Sequence, residues 1–177
     1  WLNDFNRISV GGMLMHEKYL NVEQAVGDFD VGFMLELFKY QIRAFYEYRK
    51  LNLHFQYVDG LHAKVFAETI QTKDFPGASF TKLTAQAKWL KRLGKRGNFG
   101  IQLRTGIATN NFSPFSPFVL DSYINVRGIG NRVARGTAEF ILNAEYRQTV
   151  WENKLFFMQG VAYADLGALR PPGDDFS

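Results

Sequence analysis

Apolar and polar side chains alternate one for one through most of this chain, and few folds permit that. Side chains two residues apart share a strand face, so each such run reads as a half-buried β-strand. Ile8, Val10, Gly12 and Leu14 alternate with Arg7, Ser9 and Gly11. Phe29, Val31, Phe33, Leu35 and Leu37 oppose Asp28, Asp30, Gly32 and Glu36. Ile42, Ala44, Tyr46 and Tyr48 alternate with Gln41, Arg43, Glu47 and Arg49, after which the apolar set moves to Leu51, Leu53, Phe55 and Tyr57. A slip of one residue calls for a bulge in one long strand or a turn near Arg49-Lys50. A helix over Phe33–Leu51 is a third option, because that run also tolerates helical spacing.

Further on, Asp59-Gly60 predicts a two-residue hairpin turn. Leu61, Ala63, Val65, Ala67 and Thr69 then oppose His62, Lys64 and Glu68. Lys73–Ser79, with Pro76-Gly77, reads as a loop. Thr81, Leu83, Ala85, Ala87 and Trp89 alternate with Lys82, Thr84, Gln86 and Lys88 before a tight basic turn at Gly94–Gly97. Phe99, Ile101, Leu103, Thr105 and Ile107 form the next run, and Ala138, Phe140, Leu142, Ala144 and Tyr146 the one after it. Trp151–Lys154 predicts a turn, Leu155–Leu166 a last strand, and Arg170–Ser177 a loop-like tail.

Two environments give so many strands one polar and one apolar face. In a soluble sandwich the apolar face meets a core; in a membrane barrel it meets lipid and the polar face lines a lumen. Aromatics make up 16% of the 177 residues, which is high for a water-soluble chain. Several of them (Trp1, Tyr57, Trp89, Tyr146, Trp151) fall near strand ends, as an interfacial girdle requires. Short connections alternate with long ones, the pattern of periplasmic turns and extracellular loops. Charges of opposite sign on the polar faces, Glu139, Glu145 and Asp165 against Arg104, Lys82 and Lys88, suit a closed lumen. No apolar run approaches the roughly 18 residues of a transmembrane helix, and barrel strands need only about 10 alternating residues each.

The longest connection, Asn110 to Arg135, carries three Phe residues and Pro114 and Pro117 near its start. A loop of that length is usually functional or disordered, and its aromatics favour packing in a cavity. Within it lies Asn125-Val126-Arg127-Gly128-Ile129-Gly130. Gly128 lets the chain turn sharply beside the guanidinium, whose planar fork suits carboxylates. Glu145 in Asn143-Ala144-Glu145-Tyr146-Arg147 and Asp165 in Ala162-Tyr163-Ala164-Asp165-Leu166-Gly167 stand on the following two strands as candidate partners.

Val-Arg-Gly followed by these two strands resembles the late barrel of the BamA/TamA/FhaC superfamily, the outer-membrane insertases and translocases also called bacterial surface antigens. The resemblance covers Phe112–Leu169. It implies an all-β fold, an antiparallel transmembrane β-barrel. Residues 1–177 would be an incomplete segment of about seven to nine strands within a barrel of about sixteen, with a lumen-directed loop at about 110–135. Val126, Arg127, Gly128 and Ile129 would form the loop tip, and Glu145 and Asp165 its lumenal partners. The family usually has an aromatic residue where this chain has Ile129. The implied work is the assembly or export of outer-membrane or surface proteins, in a bacterial or organellar outer membrane. Its partners would be the lipid bilayer, client proteins and accessory subunits.

Other functions find less support in the residues. The chain has no Cys, hence no disulfide framework or thiolate site. Its three His, His16, His54 and His62, fit no metal-ligand spacing, so neither cofactor nor metal is expected. No Gly-x-Ser-x-Gly elbow or nucleophile–base constellation appears, so these residues are not expected to form an enzyme. A net charge of +4, spread along the chain apart from Lys88, Lys91, Arg92, Lys95 and Arg96, gives no concentrated basic face for nucleic acid. Two alternatives stay open: a barrel that anchors a hydrolase encoded upstream, and a passive pore.

Overall fold

The computed structural model describes residues 3–20, 34–54, 57–73, 79–109, 116–120, 125–128, 134–153 and 155–173. They form β1 (Asn6–Leu20), β2 (Met34–Leu53), β3 (Val58–Thr72), β4 (Phe80–Leu93), β5 (Gly97–Ala108), β6 (Phe118–Leu120), β7 (Ala134–Gly136), β8 (Ala138–Glu152) and β9 (Phe157–Arg170). Seven strands pair antiparallel in one sheet, in the order β1-β2-β3-β4-β5-β8-β9, while β6 and β7 pair as a separate ribbon. The sequence expectation of an antiparallel all-β chain agrees with this architecture. No helix among the described residues is long and apolar enough to cross a membrane, which says nothing of strands.

The antiparallel order sorts the connections by length. Residues 54–57, 94–96 and 153–156 join strands at one end, which we call the turn end. Residues 21–33, 73–79 and 109–137 join them at the other, the loop end.

Four boundary expectations change. The second hairpin turns at 54–57, where the His54 N–H donates to the Tyr57 carbonyl at 2.9 Å, and not at Asp59-Gly60. Those two residues lie inside β3, with Gly60 opposite Leu51. Gly60 takes φ +129°, and a Cβ there would stand 2.1 Å from the Lys50 carbonyl oxygen. Its glycine serves a close approach of two backbones within the sheet, the other common meaning of a strand glycine. The phase slip near Arg49 produces neither bulge nor turn nor helix. β2 pairs without interruption with β1 and with β3, so the apolar side chains change face while the backbone runs on. Likewise, Leu37 belongs to β2 and shares a face with Lys39 and Gln41; the rest of the expected strand, 28–33, lies outside the described residues. Finally, the last turn falls at 153–156 and β9 extends to Arg170. A register shift between Thr149 and Trp151 carries β8 two residues past the expected end.

Burial separates the two faces in an unusual sense. On one face polar side chains toward the loop end are covered: Lys39 is 6% exposed, Glu68 7% and Glu139 2%. On the other the apolar side chains are bare, with Val10 74% and Leu14 72% exposed. Ile42, Leu83, Ile107 and Leu166 are also exposed there. A chain folded for water buries the second set and exposes the first.

The covered face is stitched by ion pairs between neighbouring strands. Lys39 meets Glu17 at 2.6 Å, His62 meets Glu47 at 2.7 Å and Lys82 meets Glu68 at 3.0 Å. Arg104 holds Glu139 through both guanidinium edges, at 2.9 and 2.8 Å. Each His is beside a different carboxylate, His16 near Glu36 and His54 near Asp59 as well. At the loop end Phe80, Ala108, Phe118 and Leu169 form an apolar cluster with Ile70 and Leu120 against it. Phe118 is the one described member of the three Phe residues at the loop's start, and it packs as expected; Phe112 and Phe115 lie outside the described residues.

Candidate functional site

The described parts of the long connection, residues 116–120, 125–128 and 134–137, fold back over the covered face. Its ribbon pairs Phe118 with Gly136 and Leu120 with Ala134, so the expected structureless loop has a short β-ribbon at its base. Two glycines in the sheet make room for it. A Cβ on Gly106 would meet the Phe118 ring at 2.4 Å, and one on Gly167 would meet Val126 Cγ2 at 2.7 Å and Leu120 Cδ1 at 2.8 Å. Phe118 and Val126 thus rest on bare backbone of β5 and β9, which is the second use of glycine in a strand.

This seating fixes the loop tip. The Asn125 carbonyl accepts from Asn143 Nδ2 of β8 at 2.8 Å, and Asn125 Nδ2 donates to the Val119 carbonyl at 2.5 Å. Val126 is buried. The next residue then reaches both strands. Arg127 Nε donates to Asp165 Oδ2 at 2.7 Å and Nη2 to Oδ1 at 2.8 Å, a two-pronged contact that only a guanidinium makes. The Arg127 backbone N–H adds a third bond to Asp165 Oδ2 at 2.9 Å. Nη1 donates to Glu145 Oε2 at 2.6 Å, and the other Glu145 oxygen accepts from Arg147 Nε at 2.5 Å. The guanidinium carbon lies 4.0 Å from the centre of the Tyr163 ring, within cation–π range. Gly128 follows at φ +91°, a backbone region open mainly to glycine.

Electrostatics favour this arrangement. The Asp165 side chain is 2% exposed and that of Arg127 is 37%, so the carboxylate depends on the loop for its counter-charge. The hydrogen bonds that Arg127 donates to Asp165 and then to Glu145 hold its pKa above the ordinary value in spite of burial, so the cation persists at every working pH.

Of the residues singled out by sequence, the structure brings Val126, Arg127, Gly128, Glu145 and Asp165 together. Ile129 lies outside the described residues. Sequence reasoning missed Asn143, Tyr163 and Gly167 as contributors. All three sit two residues from Glu145 or Asp165 on the same strand face, so the period-two rule alone carried the signal. Among the other expected charges, Arg104 pairs with Glu139 and Lys82 with Glu68. Lys88 lines a cavity of about 380 Å³ under the tip, with Asn98, Gln102 and Arg147 among its polar residues and Val58, Leu90 and Ile101 among its apolar ones. These pairs link neighbouring strands of one sheet. No group of three or more His, Asp or Glu able to hold a metal occurs among the described residues.

The arrangement is a latch. Among the described residues it ties a loop to the two strands β8 and β9 through a charge cluster in which the Asp165 carboxylate is buried. Compared with known proteins, the chain matches no family model and no curated protein.

Proposed function

We propose that this chain is a segment of an outer-membrane β-barrel of the insertase–translocase superfamily, in which the Arg127 loop latches the inner wall. In this reading it assembles or exports other outer-membrane or surface proteins and performs no bond chemistry. The observation that carries the reading is the two-pronged Arg127–Asp165 contact, shared with Glu145, made by a loop tip lying on the polar face of the sheet.

Two further features support it. On β2 the bare apolar stretch is long enough to match a membrane band. Its outward residues run from Phe38 to Tyr48, a length of about 33 Å at 3.3 Å per residue. At the roughly 45° tilt of membrane strands that is about 23 Å of height, close to the apolar band of about 25 Å on such barrels. Charges bound the band. Lys18 and Glu36 pair at 2.8 Å at the loop end of the same face, and Lys50 follows at the turn end. Aromatic residues also collect along one border. The register aligns Lys91 with Phe99 and Phe99 with Tyr146, with Trp89 edge-on to Phe99 at 6.3 Å. Tyr57, by contrast, leaves the expected girdle: its ring stacks on His54 at 4.4 Å and beneath the Arg92 guanidinium at 3.9 Å.

A client strand would add to an open strand edge by backbone hydrogen bonding, while the latch holds β8 and β9 in place. The test is complementation. Cells depleted of the native protein receive the full-length gene carrying wild type or Arg127→Ala. Membrane fractionation locates the product, and the heat-modifiable folded fraction of outer-membrane clients is followed. The reading expects a membrane-bound product and impaired client folding in the variant. A product found in the soluble fraction, or clients that fold normally without any copy of the gene, would refute it.

A further inference from the structure

Resting on the membrane reading, we propose that the turn-end rim of the apolar face is a binding site for anionic glycerophospholipid headgroups. The rim is built by register. Tyr46, Tyr48, Trp89, Phe99 and Tyr146 occupy outward positions on β2, β4, β5 and β8, and the pairings Tyr48↔Ala63, Leu61↔Trp89, Trp89↔Ile101 and Phe99↔Tyr146 set them in one band. Lys50 follows Tyr48 and Lys91 follows Trp89 on the same outward face, level by register with Trp89 and Phe99, and Lys95 and Arg96 stand in the turn between β4 and β5; all four are exposed.

Two of these cations are already posed over aromatic rings. Lys91 Nζ lies 5.8 Å from the centre of the Trp89 ring, and Lys50 Nζ lies 5.6 Å from that of Phe5. An ammonium above an aromatic ring at the border of an apolar band is placed at phosphate depth, with its stem along the apolar surface and its charge beyond it. The described carboxylates nearest the turns are Asp4, Asp59 and Glu152, with Glu145 on the covered face, and Asp59 is engaged by His54 at 3.4 Å. Cations are therefore in excess. At the loop-end border the outward Lys18 and His16 both share Glu36, so these two cations are matched.

The aromatic band decides the class of partner. An acidic protein would need only the cations, whereas a lipid also needs the apolar face beside them. A basic side chain at an anionic surface strengthens association about fivefold, and salt weakens it as surface charges are screened.

The experiment reconstitutes the full-length protein in nanodiscs of phosphatidylcholine mixed with phosphatidylglycerol. Native mass spectrometry then counts the lipids retained on release. Wild type is expected to retain phosphatidylglycerol in preference, with the preference falling as salt rises. Lys91→Gln should lower it about fivefold, and a Lys50→Gln/Lys91→Gln/Lys95→Gln/Arg96→Gln variant should abolish it. Lys18→Gln should leave it unchanged. Should the quadruple variant not fold, Lys91→Gln and the salt series still decide. Equal retention of the two lipids by wild type, or an unaltered preference in Lys91→Gln, overturns the proposal. So does displacement of the lipid by millimolar inorganic phosphate, which would make the rim a phosphate site alone. Failure to enter bilayers at all would instead overturn the membrane reading beneath it.

Discussion

Replacing Arg127 by alanine removes the charge on which Asp165 depends, and the structure sets the size of the loss. The Asp165 side chain is 2% exposed, while Glu145 is 26% and Arg127 37% exposed. Stripping the partner from a buried carboxylate costs about 3–5 kcal/mol. Two features reduce that figure here. The guanidinium is partly solvated, and exposed pairs contribute only about 0–1 kcal/mol. The Arg127 backbone N–H, 2.9 Å from Asp165, also survives the substitution. Glu145 keeps Arg147 at 2.5 Å and adds little. We therefore expect Arg127→Ala to destabilise the folded protein by about 2–3 kcal/mol. Arg127→Lys should recover only part of it, since an ammonium cannot fork. The assay is urea unfolding of the protein in lipid, followed by tryptophan emission, with chymotryptic cleavage at Phe118 reporting release of the loop. A double variant, Arg127→Ala/Asp165→Asn, should lose less than the sum of the two singles, because no buried charge is then left alone. A loss under roughly 0.5 kcal/mol with unchanged cleavage would refute the latch.

Other substitutions probe the seat of the loop and the faces of the sheet. Gly167→Ala should cost about 1–3 kcal/mol by overpacking and raise cleavage at Phe118, because its Cβ would meet Val126 and Leu120 at under 3 Å; equal protection would show that the loop rests elsewhere. Gly60→Ala combines φ +129° with a 2.1 Å clash on Lys50 O and should abolish the heat-modifiable folded band on gels. Arg104→Ala strands Glu139, whose side chain is 3% exposed, and should cost about 3–5 kcal/mol in the same urea assay. Bromine-labelled acyl chains should quench Trp89 emission in bilayers, and full emission would place that ring away from lipid.

The parts of this fold that were readable from sequence are those that depend on local rules. Period-two alternation located the main strands, and the Arg-Gly pair with its two carboxylates marked the tip of the latch. What alternation cannot supply is register. Asp59-Gly60 has the composition of a hairpin turn, yet Gly60 is needed where β3 crowds the Lys50 carbonyl, a contact between residues on different strands. Face identity near strand ends was equally hidden. Leu51 and Leu53 follow Arg49 on the covered face because the strand leaves the apolar band, not because the backbone slips. Tyr163 lies opposite Glu145 only once β8 and β9 are paired, and that pairing puts the ring under the guanidinium. The seats at Gly106 and Gly167 follow from loop packing, which no local pattern records.

The latch also has a place in time. The chain emerges in order, and Asp165 follows Arg127 by 38 residues, with two strands between them. Until β9 has paired with β8, the carboxylate that takes both prongs of the guanidinium is not in position, and the loop is held only by its seat on β5 and its bonds to β8. Locking is therefore among the late events of maturation, and it reports that the last of these seven strands has arrived. A stalled intermediate lacking β9 would leave Arg127 with Glu145 alone and its loop more open to cleavage.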